Sequence, residues 1–313
     1  MSLTDVTHDV RRLVLSERDL TEREVAEALQ PYGFRDLSAA DGVVASLADM
    51  QPSRATLADA LPALLAAAGA SPDPDRALTR FHDYSRARVD PHTFLTTLGS
   101  VPHLLDDLLF VFGSSDYLSA ILIRNPEYLS WLHETDALDA TKSRERMLGE
   151  LCRWVNTVTS PNAKLAILRR FKRRETLRIG VRDLVRGALV DDVTREMAYV
   201  ADATFEVALQ VVRDQLVERH GVPRAADGSE STYAVIGMGK LGGEELNFSS
   251  DVGVMCVYSD DGATDDGTDN QAFYQRVTER LADAMSKLTQ DGYVFRVDLR
   301  LRPQGKTGPL ARS

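Results

Sequence analysis

The sequence is poor in the features that mark a disulfide scaffold, a membrane protein or a polyanion binder. Of its 313 residues only two are cysteine, Cys152 and Cys256, far apart and each within a stretch typical of buried segments. That usage points away from a disulfide framework and toward two reduced core thiols in a cytoplasmic protein. No apolar run approaches the roughly 18 residues needed to span a bilayer, and the amino-terminal MSLTDVTHDVRRLVLSERDL lacks the apolar centre of a secretion signal. Positive charge is in deficit: 37 Lys and Arg against 47 Asp and Glu give a formal charge of −10. General attraction to nucleic acid or to an anionic membrane is therefore not expected.

What is present suits a soluble globular chain, with 43% hydrophobic and 27% charged residues and length enough for two domains. Strand signals are scarce before about residue 221, and the apolar spacing there is helical. Leu57 to Ala70 reads as a helix with Pro62 early, and Tyr117 to Leu132 as two helices broken at Pro126. Asn162 to Gly187 places Leu165, Leu168, Phe171, Leu177, Val181 and Leu184 near one face. Its other face carries Lys164, Arg169, Arg170, Lys172, Arg173, Arg174, Arg178, Arg182 and Arg186 against Glu175 and Asp183. That face reads either as solvated surface or as a cradle for phosphates or an acidic protein partner. A further helix is expected over Val193 to His220.

The character then changes. GVPRAADGSEST reads as a polar linker, and strand signals follow at Tyr233 to Ile236, Val252 to Tyr258 and Tyr293 to Leu301, with a helix over Gln271 to Gln290. The expected fold class is α+β: a helical region over 1–221, a linker over 222–232 and a strand-bearing core over 233–313. The aspartate-rich SDDGATDDGTDN lacks the ligand order of an EF-hand and reads as a solvated loop.

The segment AVIGMGKLGGEELNFSSDVGVMCVY carries the chemistry. Gly237, Gly239 and Gly242 satisfy GxGxxG, but Gly243 to Ser250 is too short for the crossover a dinucleotide fold requires. A P-loop is excluded because Lys240 is followed by Leu241 rather than Ser or Thr. What remains is a glycine-rich turn whose amides can approach a phosphate, with Lys240 as a charge donor. Strand alternation sets Asp251, Gly253, Met255 and Val257 on one face, and in FRVDLRLRP it groups Arg296, Asp298, Arg300 and Arg302. If the two strands are neighbours, Asp251 and Asp298 suit a divalent cation and the arginines suit phosphates, as in nucleotidyl transfer. The competing reading is plain salt bridging of Asp298 to its arginines.

The strings GMGKLGGEELNFSSD and RVDLRLRPQGKTGPL, with FGSSDYLSAILIRNPEYL and LRRFKRRETLRIGVRDL upstream, closely resemble glutamine synthetase adenylyltransferases, also called glutamate-ammonia-ligase adenylyltransferases. Their pattern reads GKLGGxELNxxSDxDL and later DxRLRPxGxxG, and the likeness covers the chain from about residue 80. The resemblance implies a nucleotidyltransferase core of the DNA polymerase beta type framed by helices. Family members carry two such cores; this chain holds one, which resembles the first, adenylyl-removing core because a long amino-terminal region precedes it. The implied function is removal of AMP from the adenylylated tyrosine of glutamine synthetase by phosphorolysis, in control of nitrogen assimilation. Magnesium is the implied cofactor, ATP, ADP and phosphate the small partners, and the PII signalling protein a regulator.

Carried over position by position, Asp251 matches the first metal-binding, catalytic aspartate and Asp298 the third. Gly237, Gly239, Gly242 and Gly243 match the nucleotide-cradling turn, and Lys240, Ser250, Arg300 and Arg302 complete the phosphate-binding set. The family's second aspartate is replaced by Gly253, which removes a metal ligand. Glu244 and Glu245 lie in another part of the turn and are not substitutes. The chain also stops at GPLARS, before the family pattern ends, so the core is expected to be incomplete at its carboxyl end. Both departures motivate an alternative: a catalytically impaired or truncated module that binds glutamine synthetase or a regulator without catalysis. A nucleic-acid polymerase relative is disfavoured by the acidic balance.

Overall fold

The computed structural model describes residues 10–50, 54–88, 90, 93–95, 102–134, 137–302, 305 and 308–313. The chain divides by contacts into two units, Met1–Asp139 with Gly180–Gly187, and Ala140–Ile179 with Ala188–Ser313. Helices dominate and small mixed sheets accompany them, so the class is α+β. Among the described residues no helix is long and apolar enough to cross a membrane.

The first unit holds α1 (Glu22–Leu29), α2 (Leu37–Asp49), α3 (Arg54–Gly69), α4 (Pro74–Ala87), α5 (Pro102–Ser114), α6 (Asp116–Arg124) and α7 (Tyr128–Glu134). Side-chain caps start several of them: Thr21 and Glu24 form a capping box, and Asp36, Asp73 and Ser115 each accept from a first-turn amide. Helix α3 runs through Pro62, whereas α6 and α7 are separate helices on either side of Pro126, as the sequence predicts. Phe81, Tyr84 and Phe112 fill the core. The Tyr84 hydroxyl donates to the Pro126 carbonyl at 2.9 Å, and burial pushes its pKa up to about 12.

The second unit holds α8 (Arg144–Val155), α9 (Pro161–Arg186, through Ile179), α10 (Val190–His220), the one-turn α11 (Gly239–Gly242) and α12 (Asn270–Ser286). Its strands are β1 (Arg224–Ala225), β2 (Tyr233–Gly237), β3 (Val252–Tyr258), β4 (Gly262–Ala263), β5 (Val297–Asp298) and β6 (Ala311–Arg312). The contact boundary does not fall where composition changes. Residues 140–179 and 188–220 belong with the strands because α10 packs on both α8 and α12.

In the main sheet β3 is central, with β2 antiparallel on one side and β5 and β6 parallel on the other. Val254, Cys256 and Tyr258 face inward and share one core with Val211, Phe273 and Val277. The Tyr274 ring stacks at 5.3 Å from Tyr233 and 4.9 Å from Tyr258. Each such apolar side chain stabilises the fold by about 1.5–3 kcal/mol. Neither Cys152 nor Cys256 is in a disulfide.

The structure departs from three sequence expectations. Much of the basic face of α9 is neither solvated nor a waiting cradle, because Arg169, Lys172, Arg178 and Arg182 are buried, while Arg170 and Arg186 stay exposed. Arg178 donates to Glu175 at 2.7 Å and to Glu196 at 2.5 Å, Lys142 reaches Glu175 at 2.9 Å, and the Arg174 guanidinium lies 3.8 Å from the Trp154 ring centroid. The segment 222–232 is no open linker. Strand β1 pairs with β4, Ser231 is buried, and the Asp265 carboxylate accepts from the Val222 amide at 2.9 Å. The expected strand over Tyr293 to Leu301 shrinks to Val297–Asp298, since the Asp298 carboxylate accepts from the Arg300 amide at 2.9 Å and turns the chain. The aspartate loop is exposed as expected, yet its carboxylates have partners: Asp266 meets His220 at 2.9 Å and Asp269 caps α12.

Candidate functional site

Strands β2 and β3 pair in the register Gly237↔Val254, and the glycine-rich turn closes that end. Met238 begins α11 and donates its amide to the Gly253 carbonyl at 2.9 Å, tying the turn to β3. Gly239 has φ +56°, a conformation glycine adopts freely. A Cβ on Gly242 would lie 2.5 Å from the Gly237 carbonyl oxygen, so glycine there permits close approach. No side chain caps the amino end of α11, and first-turn amides have no intrahelical acceptor. Lys240 is exposed on this turn. Ser250 is half-buried, with its amide donating to the Asn247 carbonyl at 3.2 Å.

The two strands bearing the aspartates are neighbours. The β3–β5 pair is parallel, joined through α12, with Val252 opposite Val297 and Gly253 opposite Asp298. Asp251 and Gly253 share a face by strand alternation, so Asp251 stands diagonally across from Asp298 on the side away from the inward-facing Val252 and Val254. Each carboxylate has its own arginine. Arg296 Nε donates to Asp251 Oδ1 at 2.6 Å, and Arg300 Nη2 donates to Asp298 Oδ2 at 2.7 Å. The Arg300 side chain and amide hold the Asp298 pKa down to about 2. The Arg300 pKa is raised, chiefly by its hydrogen bond to Asp298, with a smaller contribution from the charge of Asp251.

Arg302 is turned elsewhere, its guanidinium donating to the Gly308 and Leu299 carbonyls at 3.0 and 2.6 Å. Strand alternation had grouped it with Asp298; the turn at Arg300 removes that basis. Among the described residues no three His, Cys, Asp or Glu side chains are grouped to hold a metal ion. A cavity of about 400 Å³ lies between β2 and the helices α8 and α10, lined by Arg144, Leu148, Asp202, Phe205 and Tyr233 among others. Neither Asp251 nor Asp298 lines it.

Sequence reasoning missed the pairing of Arg296 with Asp251, which only the register across the strands reveals. It also set Glu244 aside as a metal ligand without finding that residue's partners. Its positive φ of 57° has no signature in a single sequence.

Residues 105–313 match the protein family described as Glutamate-ammonia ligase adenylyltransferase. The chain is 39% identical over 217 residues to a protein of Thioalkalivibrio sulfidiphilus named bifunctional glutamine synthetase adenylyltransferase/adenylyl-removing enzyme, covering 67% of this chain and 22% of that relative. Proteins of the same name from Hahella chejuensis and Shewanella loihica are 36% and 34% identical, over 69% and 68% of this chain and 23% and 22% of the relatives. The match thus spans under a quarter of each relative's length.

Proposed function

This chain belongs to the glutamate-ammonia ligase adenylyltransferase family, and from that premise we propose that it is a nucleotidyltransferase core of the DNA polymerase beta type acting on glutamine synthetase. The direction we propose is removal of AMP from the adenylylated tyrosine by phosphorolysis. The observation that carries the reading is the parallel register Gly253↔Asp298, with Asp251 diagonal to Asp298 at the end of the sheet where the glycine-rich turn is tied to β3. In this reaction a phosphate oxygen bonds to the AMP phosphorus, the bond from phosphorus to the tyrosine oxygen breaks, and that oxygen takes a proton. The products are ADP and glutamine synthetase with its tyrosine hydroxyl restored.

Magnesium fits the donor set. It commonly binds through one or two carboxylates and completes its shell with substrate phosphates and water, so Asp251 and Asp298 suffice as protein ligands without a third. Bound there, it would offset the negative charge spread over the phosphate oxygens and help hold attacking and leaving oxygens in line. The chain's own residues supply the rest. Arg296 and Arg300, now on the carboxylates, are the cations a phosphate meets at the same place. The amides of α11 and the exposed Lys240 offer donors to the nucleotide. On this reading the chain works in the cytoplasm, with the PII signalling protein as regulator.

Adenylylated glutamine synthetase incubated with the chain, phosphate and magnesium is expected to release ADP. Release no greater than in a metal-free control overturns the proposal.

A second reading is favoured by one observation, the absence of a side chain at Gly253 opposite Asp298. On it the chain binds glutamine synthetase or a regulator without catalysis. Tight association with adenylylated glutamine synthetase, accompanied by no ADP release, selects this reading.

A further inference from the structure

Glu244 directly follows the glycine-rich turn and is the sole non-glycine residue among those described with a positive φ, 57°. Left-handed backbone is costly for a side chain with a Cβ, and glutamate lacks the short polar group that eases Asn or Asp into it. The side chain nevertheless makes a set of contacts. Its Oε1 accepts from Arg144 Nη2 at 2.7 Å, and its Oε2 accepts from the Tyr199 hydroxyl at 3.4 Å and lies 3.7 Å from Arg195 Nε. Arg144 is fixed in turn, 2.9 Å from Asp202 and with its guanidinium 5.1 Å from the Tyr199 ring centroid. Arg195, Tyr199 and Asp202 follow one stripe of α10 at helical spacing, and Arg144 opens α8.

Stability alone does not account for this arrangement. Glu244 and Arg144 keep 37% and 47% of their side-chain exposure, and ion pairs so exposed contribute little to folding. The backbone contacts point to position instead. The Glu244 amide donates to the Leu241 carbonyl at 3.1 Å and the Glu245 amide to the Lys240 carbonyl at 2.7 Å, so the moored residue is tied back into the turn.

We propose that Glu244 is a positioning residue that moors the glycine-rich turn to α8 and α10 through Arg144, Arg195 and Tyr199, and thereby aims the turn's amides at a nucleotide's phosphates. The aiming rests on the nucleotidyltransferase reading; the mooring does not.

The test uses the full chain as wild type, Glu244→Gly, Glu244→Gln, Arg144→Met and the Arg144→Met/Glu244→Gln double variant. Amide hydrogen exchange across residues 239–243, affinity for ADP with magnesium, and melting temperature are measured for each. Glu244→Gly is decisive because glycine relieves the backbone while removing the carboxylate. Mooring predicts exchange about tenfold faster and ADP binding about tenfold weaker at nearly unchanged melting temperature, whereas a purely local backbone role predicts exchange unchanged or slower. Glu244→Gln, which keeps hydrogen bonding, is expected to recover part of the loss, and the double variant to be no worse than its poorer single parent. Exchange in Glu244→Gly no faster than wild type overturns the mooring. If the wild-type chain fails to bind ADP, the nucleotide reading falls while the exchange measurement still decides the mooring.

Discussion

Gly253 stands directly opposite Asp298 across the parallel pair β3–β5. A Cβ built there meets Leu301 at 3.4 Å and Met238 at 3.7 Å, ordinary contact distances, and Gly253 is not among the residues of positive φ. Gly253→Asp is therefore expected to fold. Its new carboxylate faces Asp298, and like charges opposite one another on a sheet destabilise by about 0.2–1 kcal/mol. Thermal melts should show the variant slightly below wild type in chelator and above it in millimolar magnesium. If the core is catalytic, the third ligand should raise ADP release on the order of 10²-fold. Equal melts with and without magnesium count against a metal site at these strands.

Arg300 holds Asp298 ionised. With the Asp298 pKa lowered to about 2, the carboxylate's favourable contribution is complete above its ordinary range near 3.8 and is lost as pH falls toward 2. Replacing Arg300 with Gln removes the largest cause, the side-chain hydrogen bond. Carbon-detected titration of the aspartate carboxyls should then show Asp298 protonating at higher pH, toward 3.8. A titration unmoved by Arg300→Gln would mean that another group holds the carboxylate.

Much of this architecture is legible in the sequence, and what is not has a common physical cause. Helical periodicity marks α9 because it is local, and Pro126 splits α6 from α7 for the same reason. The fate of the α9 cations is not local: their partners include Glu150 and Glu196 on other helices, so a basic face in sequence becomes a buried ion network in the fold. The motifs single out Asp251 and Asp298 as candidates, but the register that makes them neighbours joins segments 45 residues apart through an intervening helix. Glu244 and Arg144 lie 100 residues apart and carry no pattern that links them. The strand expected over Tyr293 to Leu301 fails because alternation continues in the letters after the Asp298 carboxylate has turned the backbone.

The buried network around Glu175 has a pH signature. Burial alone would raise the Glu175 pKa, but Arg178, Lys142 and Arg174 outweigh it and the net direction is downward. A depressed carboxylate stabilises the fold fully above its unfolded pKa, about 4.3, and that contribution is lost as pH falls from there through the folded value. Glu175→Gln leaves buried cations without their charge partner and is expected to cost about 3–5 kcal/mol at pH 7. Urea unfolding from pH 7 to pH 3 should show the gap between wild type and variant narrowing below about pH 4 as the Glu175 carboxylate of the unfolded wild-type chain takes up its proton. A gap that stays constant across that range would assign the loss to packing rather than charge.

The turn's glycines look equivalent in the motif but differ in what they tolerate. A Cβ on Gly242 would lie 2.5 Å from the Gly237 carbonyl oxygen, a backbone atom that cannot rotate away, whereas one on Gly243 meets the Gly239 carbonyl oxygen at an ordinary 3.5 Å. Gly242→Ala must therefore push α11 off the end of β2, at a cost of about 1–3 kcal/mol typical of overpacking. Gly243→Ala should melt within the error of wild type. The same displacement moves the amides of α11, so ADP affinity should fall for Gly242→Ala far more than for Gly243→Ala. Equal loss of affinity in both variants, with Gly243→Ala fully stable, would mean that the ligand approaches Gly243 itself and that contact with the nucleotide, rather than closure against Gly237, requires the second glycine.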